Sequence, residues 1–178
     1  MGYRSGPVSL SAKINEVYIN NEVEWRKKHL QAMITNYNRA PYFKQVVGIL
    51  EDAFSKEWEF ISELNVYLIE SFKSLLNLEA KRSVRSSDLE LREEPTDRLI
   101  DICMALGADT YLAGQGGTEY MDMERFEKSE LKVIIQEFKH PVYPQMFEEF
   151  QSHLSIVDLL CNCGPESMNV ICEANAGA

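Results

Sequence analysis

The chain has 178 residues, 45% of them apolar, and a formal net charge of -10, the profile of one soluble domain, 1–178, with a substantial core. The acidic excess excludes a general nucleic-acid binder, because such proteins gain affinity by releasing counterions around lysines and arginines. No apolar run approaches the ~18 residues needed to cross a bilayer, and the N-terminus lacks the apolar stretch of a signal peptide; no membrane insertion and a cytoplasmic location are expected.

In chain order, Ala12 to Ile19 alternates weakly and predicts a strand, after which Asn20-Asn21 is expected to cap a helix. That helix carries Trp25, His29, Leu30, Met33, Ile34 and Tyr37 near the helical period and stops before Pro41. A second helix is predicted over Tyr42 to Phe54. A third is predicted over Glu57 to Leu76, the most regular apolar stripe in the chain. Ala80 to Val84 predicts a short strand leading into a Ser86-Ser87-Asp88 turn. Thr96 is expected to cap a helix that Gly107 ends. Asp109 to Ala113 predicts a buried strand, Met121 to Lys128 a short helix, Leu131 to Phe138 a second strand and Ile156 to Asn162 another helix. Strands alternating with helices imply crossovers. The expected fold is therefore α/β: a single domain, with a helical N-terminal half and a small, mostly parallel sheet packed by several helices.

The residues of chemical interest concentrate between Thr110 and Pro165. Gly114-Gln-Gly116-Gly117 follows a predicted strand and precedes a helix, where backbone donors can approach a phosphate or carboxylate; a plain strand-to-helix turn explains it equally well. Tyr120 lies beside it. His140 is held extended by Pro141 and reads as a general base or anion ligand, or as a loop histidine bonded to backbone. Tyr143 and Gln145 offer donors on the same turn. Ser155 with Asp158 forms a capping-box pattern. Asp158 and Asn162, one helical turn apart, share a face. For His29 and His153 the structural reading is preferred. Lys28, in the basic island Arg26-Lys27-Lys28-His29, and Arg98 can neutralise phosphate. Cys103, Cys161, Cys163 and Cys172 match no zinc spacing and are expected as reduced, mostly buried thiols. No residue cluster compels a metal, and no cofactor is identified.

Six runs taken together point to a family: Trp25-Arg-Lys-Lys-His29-Leu, Tyr37-Asn-Arg-Ala-Pro41-Tyr-Phe43, Thr96-Asp-Arg98-Leu, Leu106-Gly-Ala-Asp109-Thr-Tyr-Leu-Ala-Gly114, His140-Pro-Val-Tyr143-Pro-Gln and Leu154-Ser-Ile-Val-Asp158-Leu-Leu-Cys-Asn162-Cys-Gly-Pro165. In this order they resemble the WbqC-like protein family over most of the chain. The resemblance implies a bacterial protein of O-antigen or other surface-polysaccharide biosynthesis, a transferase placing glycine or another acyl group on an amino sugar. Its substrate would be a small-molecule or nucleotide-linked sugar. Under that expectation His140 is the base, Gly114, Gly116, Gly117 and Tyr120 hold the anionic group, Tyr143 and Gln145 orient the substrate, Asp158 and Asn162 hold sugar hydroxyls, and Lys28 or Arg98 meets phosphate. The chain departs from the family in lacking its usual opening Gln-Pro-x-Tyr-x-Pro-Trp-like segment and in carrying Ala113 where the family has serine. The alternatives are a non-catalytic binding or assembly partner of a polysaccharide enzyme, and a nucleotide-binding domain.

Overall fold

The computed structural model describes residues 12–78 and 82–176, with the backbone alone at Thr118. In chain order its elements are α1 (Trp25–Tyr37), α2 (Phe43–Ser55), α3 (Ile61–Leu75), α4 (Pro95–Leu106), β1 (Thr110–Ala113), α5 (Met123–Lys128), β2 (Lys132–Ile135), α6 (Ile156–Cys163) and α7 (Ser167–Ala174). The fold is α/β, with a helical N-terminal half and a small parallel sheet packed by helices. The chain divides into two compact units, the first from Met1–Lys81 and His140–Ala176, the second from Arg82–Lys139.

In the first unit α2 buries Val46, Val47, Leu50 and Ala53, a stripe at helical spacing. Val46 joins Ala40, Leu160 and Cys161 in one core cluster, against which Met33, Tyr37 and Phe72 pack. Trp25, Ala53 and Leu64 form another with Phe54, Trp58 and Tyr67. The strand predicted over Ala12 to Ile19 is not formed as such. A 3-10 turn occupies Ile14–Glu16, and only Tyr18 bridges Phe60, antiparallel. Ile19 N donates to Glu59 O at 2.8 Å and Ile61 N to Val17 O at 2.9 Å. Pairing stops there because the opposing segment turns into α3 at Ile61, which also starts that helix later than Glu57.

The asparagines do not cap α1 either. Its N-cap is Glu24, without a side-chain bond. Asn21 instead ties two segments together, accepting from Trp25 Nε1 at 3.3 Å and donating to Trp58 O at 2.9 Å. Helix α7 was not predicted, since Gly164-Pro165 reads as a stop. Gly164 does end α6, but Pro165 then sits in the first positions of a 3-10 turn, where its missing N–H costs nothing, and the chain continues into α7.

In the second unit Glu94, not Thr96, caps α4: its carboxylate accepts from Asp97 N, Pro95 opens the helix, and Gly107 closes it at φ 65°. Thr96 is buried inside the first turn, and its hydroxyl accepts from Asp122 N at 3.1 Å. Asp122 in turn caps α5, so the starts of the two helices are tied together. Strands β1 and β2 pair in parallel, Thr110 with Lys132 through Ala113 with Ile135. Their inner face, Tyr111, Ala113, Val133 and Ile135, packs with Ile100 and Cys103 of α4 and Phe126 of α5. The strand expected to be buried over Asp109 to Ala113 is buried on one face only, since Leu112 is exposed, as is Ile134 beside it on β2. β2 ends at Ile135, short of Phe138, because β1 offers no partner past Ala113. Of the strand predicted over Ala80 to Val84, the first two residues lie outside the described residues, and 82–84 form none.

Gly164 has φ 50°, and a Cβ there would overlap the Tyr42 ring. Gly164→Ala is expected to destabilise the protein by about 1–3 kcal/mol, read as a lower midpoint with unchanged slope in urea unfolding.

Candidate functional site

The sequence-predicted residues separate between the two units. Lys28, His140, Tyr143, Gln145, Asp158 and Asn162 belong to the first, and Arg98, Gly114, Gly116, Gly117 and Tyr120 to the second. In the first unit the structure brings His140, Tyr143, Gln145 and Asp158 together where an irregular segment, residues 140–155, meets α6.

Asp158 is at the centre. It is 4% exposed, and its Oδ2 accepts from the Tyr143 hydroxyl at 2.8 Å and from Gln145 Nε2 at 2.9 Å. The phenol of Tyr37, at the end of α1, lies near enough to the same carboxylate to feel its charge. Among the described residues no lysine or arginine pairs with it, so a buried acid is stabilised by neutral donors. Burial, then the Asp158 bond, pushes the Tyr143 phenol up to about 12. Burial, then the nearby Asp158 carboxylate, lifts Tyr37 above the ordinary phenol range. The capping-box pattern is only half formed: Ser155 Oγ accepts from Val157 N at 3.3 Å, but the Asp158 carboxylate points to the tyrosines instead of back along the backbone. Asn162, expected to share its ligand role, donates to Asp158 O at 2.8 Å, a bond within its own helix.

Gln145 does more than meet the acid. Its Oε1 accepts from Gln151 N at 2.8 Å and its Nε2 also donates to Gln151 O at 2.9 Å, so the side-chain amide pairs with the backbone of residue 151 as a neighbouring strand would. His140 holds the segment next to it. Nε2 accepts from His153 N at 2.9 Å, which requires the proton on Nδ1, and Nδ1 then donates to Pro141 O at 2.8 Å. Phe150 packs edge-on to Tyr143 at 5.5 Å and tilted against His140 at 6.0 Å. His153 lies over His140 at 4.9 Å with φ 60°, and its Nδ1 meets Ser152 Oγ at 2.8 Å. Tyr37, Gln151 and the His153 amide were missed from sequence. Of these only Tyr37 left a signal, a hydroxyl on an apolar helix face that must find a buried partner.

The other candidates lie on ordinary ground. Lys28 is exposed on α1, and His29 bonds Trp25 O at 2.7 Å. In the glycine turn Gly117 N donates to Gly114 O at 2.9 Å and Glu119 N to Gly116 O at 3.3 Å, so two amides available to an anion are closed on the turn itself. Gly117 is required by close approach, since a Cβ there would lie 3.0 Å from Ala113 Cβ and 3.1 Å from Met121 Cε. Tyr120 is exposed and Arg98 half-buried on α4. An open depression of about 470 Å³ in the second unit is lined by Glu90, Leu91, Arg92, Asp101 and Met104, none of them a predicted site residue, and Arg92 is engaged there by Asp101 at 2.6 Å. All four cysteines are free thiols; burial pushes Cys161 up to about 12 and raises Cys103 and Cys163, which suppresses the thiolate a nucleophile needs.

In the first unit the His140-Pro-Val-Tyr143-Pro-Gln145 segment packs against the Asp158 helix, and the second carries a parallel strand pair packed by helices. The chain belongs to the WbqC-like protein family, whose model matches residues 5–170. It is 30% identical over 157 residues to the uncharacterized protein Rv1507c of Mycobacterium tuberculosis (strain ATCC 25618 / H37Rv), a match that covers 87% of this chain and 67% of that protein. No solved structure matches the chain.

Tyr143→Phe removes one of the donors from a buried carboxylate and is expected to cost about 1–3 kcal/mol. Coupling to Asp158→Asn in a double-mutant cycle checks that the loss runs through this bond. The pH dependence has a definite sign. Unfolded tyrosine ionises near ~10, and the folded Tyr143 phenol only at about 12. Its contribution is therefore complete below the lower value and is lost as pH rises through the upper one. Tyrosinate absorbance and urea midpoints measured between these values should show one late-ionising phenol fewer in Tyr143→Phe.

Proposed function

We propose that this chain acts in bacterial surface-polysaccharide biosynthesis, O-antigen included, as a non-catalytic binding or assembly partner of a pathway enzyme. The observation that carries the reading is the state of His140. A general base needs a free ring nitrogen toward its substrate, and both nitrogens of His140 bond the backbone of its own segment. The groups that would orient a sugar are engaged in the same way: Tyr143 and Gln145 both bond Asp158. The arrangement instead stiffens residues 140–155 while leaving Val142, Phe147 and Leu154 exposed at 78%, 66% and 45%, apolar side chains suited to contact with another protein. The nucleotide-linked sugar then belongs to the partner enzyme.

A second reading, a transferase that moves glycine or another acyl group to an amino sugar, has one observation in its favour. Ser152 and His153, both exposed, form a hydroxyl–imidazole pair at 2.8 Å; the hydroxyl oxygen would attack the carbonyl of a thioester donor while His153 Nδ1 takes its proton, the carbon–sulfur bond would break and the thiolate leave with that proton, and the sugar amine would then attack the seryl ester, giving the amide and returning a proton through His153 to the departing Ser152 oxygen.

The two readings separate in one assay. The purified chain is given glycyl and acyl donors with amino-sugar acceptors, alone and together with the enzymes encoded beside its gene. The binding reading expects no product from the chain alone and a higher rate when it joins the neighbouring enzymes, an effect that Val142→Asp or Phe147→Asp weakens. Product from the chain alone that disappears in Ser152→Ala would establish the transferase and defeat the binding role.

A further inference from the structure

The His140 ring joins the two ends of its segment. Nε2 accepts from His153 N at 2.9 Å and Nδ1 donates to Pro141 O at 2.8 Å, so the ring fits its place only as the neutral tautomer protonated at Nδ1. A proton added at Nε2 would meet the His153 N–H, two donors face to face with no acceptor between them, and the contact must then open. His153 has φ 60°, a region that few residues with a side chain adopt, so its amide moves away once it is freed. Two residues earlier, Gln151 is held through both of its peptide groups by Gln145. The clasp and the histidine contact therefore lie on one short stretch of chain.

None of the groups around the ring is placed to receive a second N–H. His153 lies over it at 4.9 Å, and a charge on that exposed imidazole would repel one on His140. The Tyr143 ring is stacked on it at 6.4 Å and Phe150 is tilted against it at 6.0 Å. From α6, the Asp158 carboxylate stands beyond the Tyr143 hydroxyl and is engaged by it and by Gln145, with the Tyr37 phenol of α1 near it. Lys139 adjoins His140 in the chain, and Glu148 and Glu149 are exposed at the tip of the loop. Among the described residues no acid forms an ion pair with His140.

We propose that His140 is an acid-sensitive latch on residues 140–155, closed while its ring is neutral and released when a proton enters at Nε2. The closed segment takes up no proton there and the opened one does, so acid favours the open form. An imidazole in water gains its proton near ~6.5, and below that pH the opening equilibrium grows about tenfold per unit. The stability that closure contributes is thus complete above this value and is lost as pH falls. His153 is not the sensor, because its Nδ1 meets the Ser152 hydroxyl, which accepts as readily as it donates. As control over the surface that carries Val142 and Phe147, the latch rests on the partner reading above; as a property of the chain it does not.

The test follows amide exchange residue by residue in the whole 178-residue chain, each rate corrected for intrinsic exchange at its pH. Between about pH 7.5 and 5, protection at Gln151 and His153 should fall roughly 30-fold, while Leu50 and Ala53 of α2 keep theirs. His140→Gln puts an oxygen that binds no proton in place of Nε2, and should keep the protection and lose its pH dependence. His153→Asn retains the amide, suits the positive φ and removes the other imidazole, and should leave the fall intact. Ring nitrogen shifts of the unaltered chain at neutral pH should place the His140 proton on Nδ1, a reading that stands even where His140→Gln fails to fold. A proton on Nε2, a His153 amide without protection at neutral pH, or a fall that persists in His140→Gln overturns the latch. All of these are read on the chain alone, so a chain that never stimulates the neighbouring enzymes counts against the partner reading and leaves the latch standing. Stimulation that responds to acid identically in His140→Gln and the unaltered chain overturns the latch's control of that surface.

Discussion

A carboxylate that is 4% exposed and, among the described residues, paired with no cation sets the terms for the first unit. Removing a carboxylate from water costs several kcal/mol unless donors replace the lost hydration, and here the Tyr143 phenol and the Gln145 amide do so. Bonds to a charged acceptor contribute about 1.5–3 kcal/mol each, which opposes the cost of burial. The donors, Tyr143 and Gln145, come from the irregular segment onto an acceptor in α6, with the Tyr37 phenol close by at the end of α1. One carboxylate therefore holds the irregular segment to α6 at a common point. The apolar contacts of Leu160 and Cys161 with Ala40 and Val46 are made around it.

That arrangement also explains why the segment has the look of a catalytic site in sequence. Histidine, tyrosine, glutamine and aspartate at these spacings are what a hydrolase or transferase would use. They are equally what a long segment without secondary structure uses to satisfy its own polar groups. Sequence reveals residue types and their clustering; it does not reveal whether a donor faces a ligand or a neighbouring peptide group. The tautomer of His140 is the deciding detail, and it depends on the amide of His153, thirteen residues away.

The legibility of the rest follows the same division. α2 and α3 could be read because an apolar stripe at the helical period is a local property, and the end of α4 because Gly107 must adopt a positive φ. Errors arose where a distant partner decides. Thr96 carries the chemistry of a cap but serves the start of α5; Asn21 likewise serves Trp58. Strand lengths failed for the same reason, since both β2 and the Tyr18 bridge end where their partners do. α7 escaped because a glycine-proline pair marks the end of one helix without forbidding the next.

Gln145 binds both peptide groups of residue 151, the N–H and the C=O, and so closes the residues between into a loop of set length. Met146 packs into the core cluster and Phe150 against two rings, which leaves Phe147, Glu148 and Glu149 at the outer tip. Insertions or deletions there would break the clasp, whereas substitutions at the three tip positions would leave it intact. The loop thus separates size from content: its geometry is inherited as a unit, and what it displays to another molecule is free to diverge.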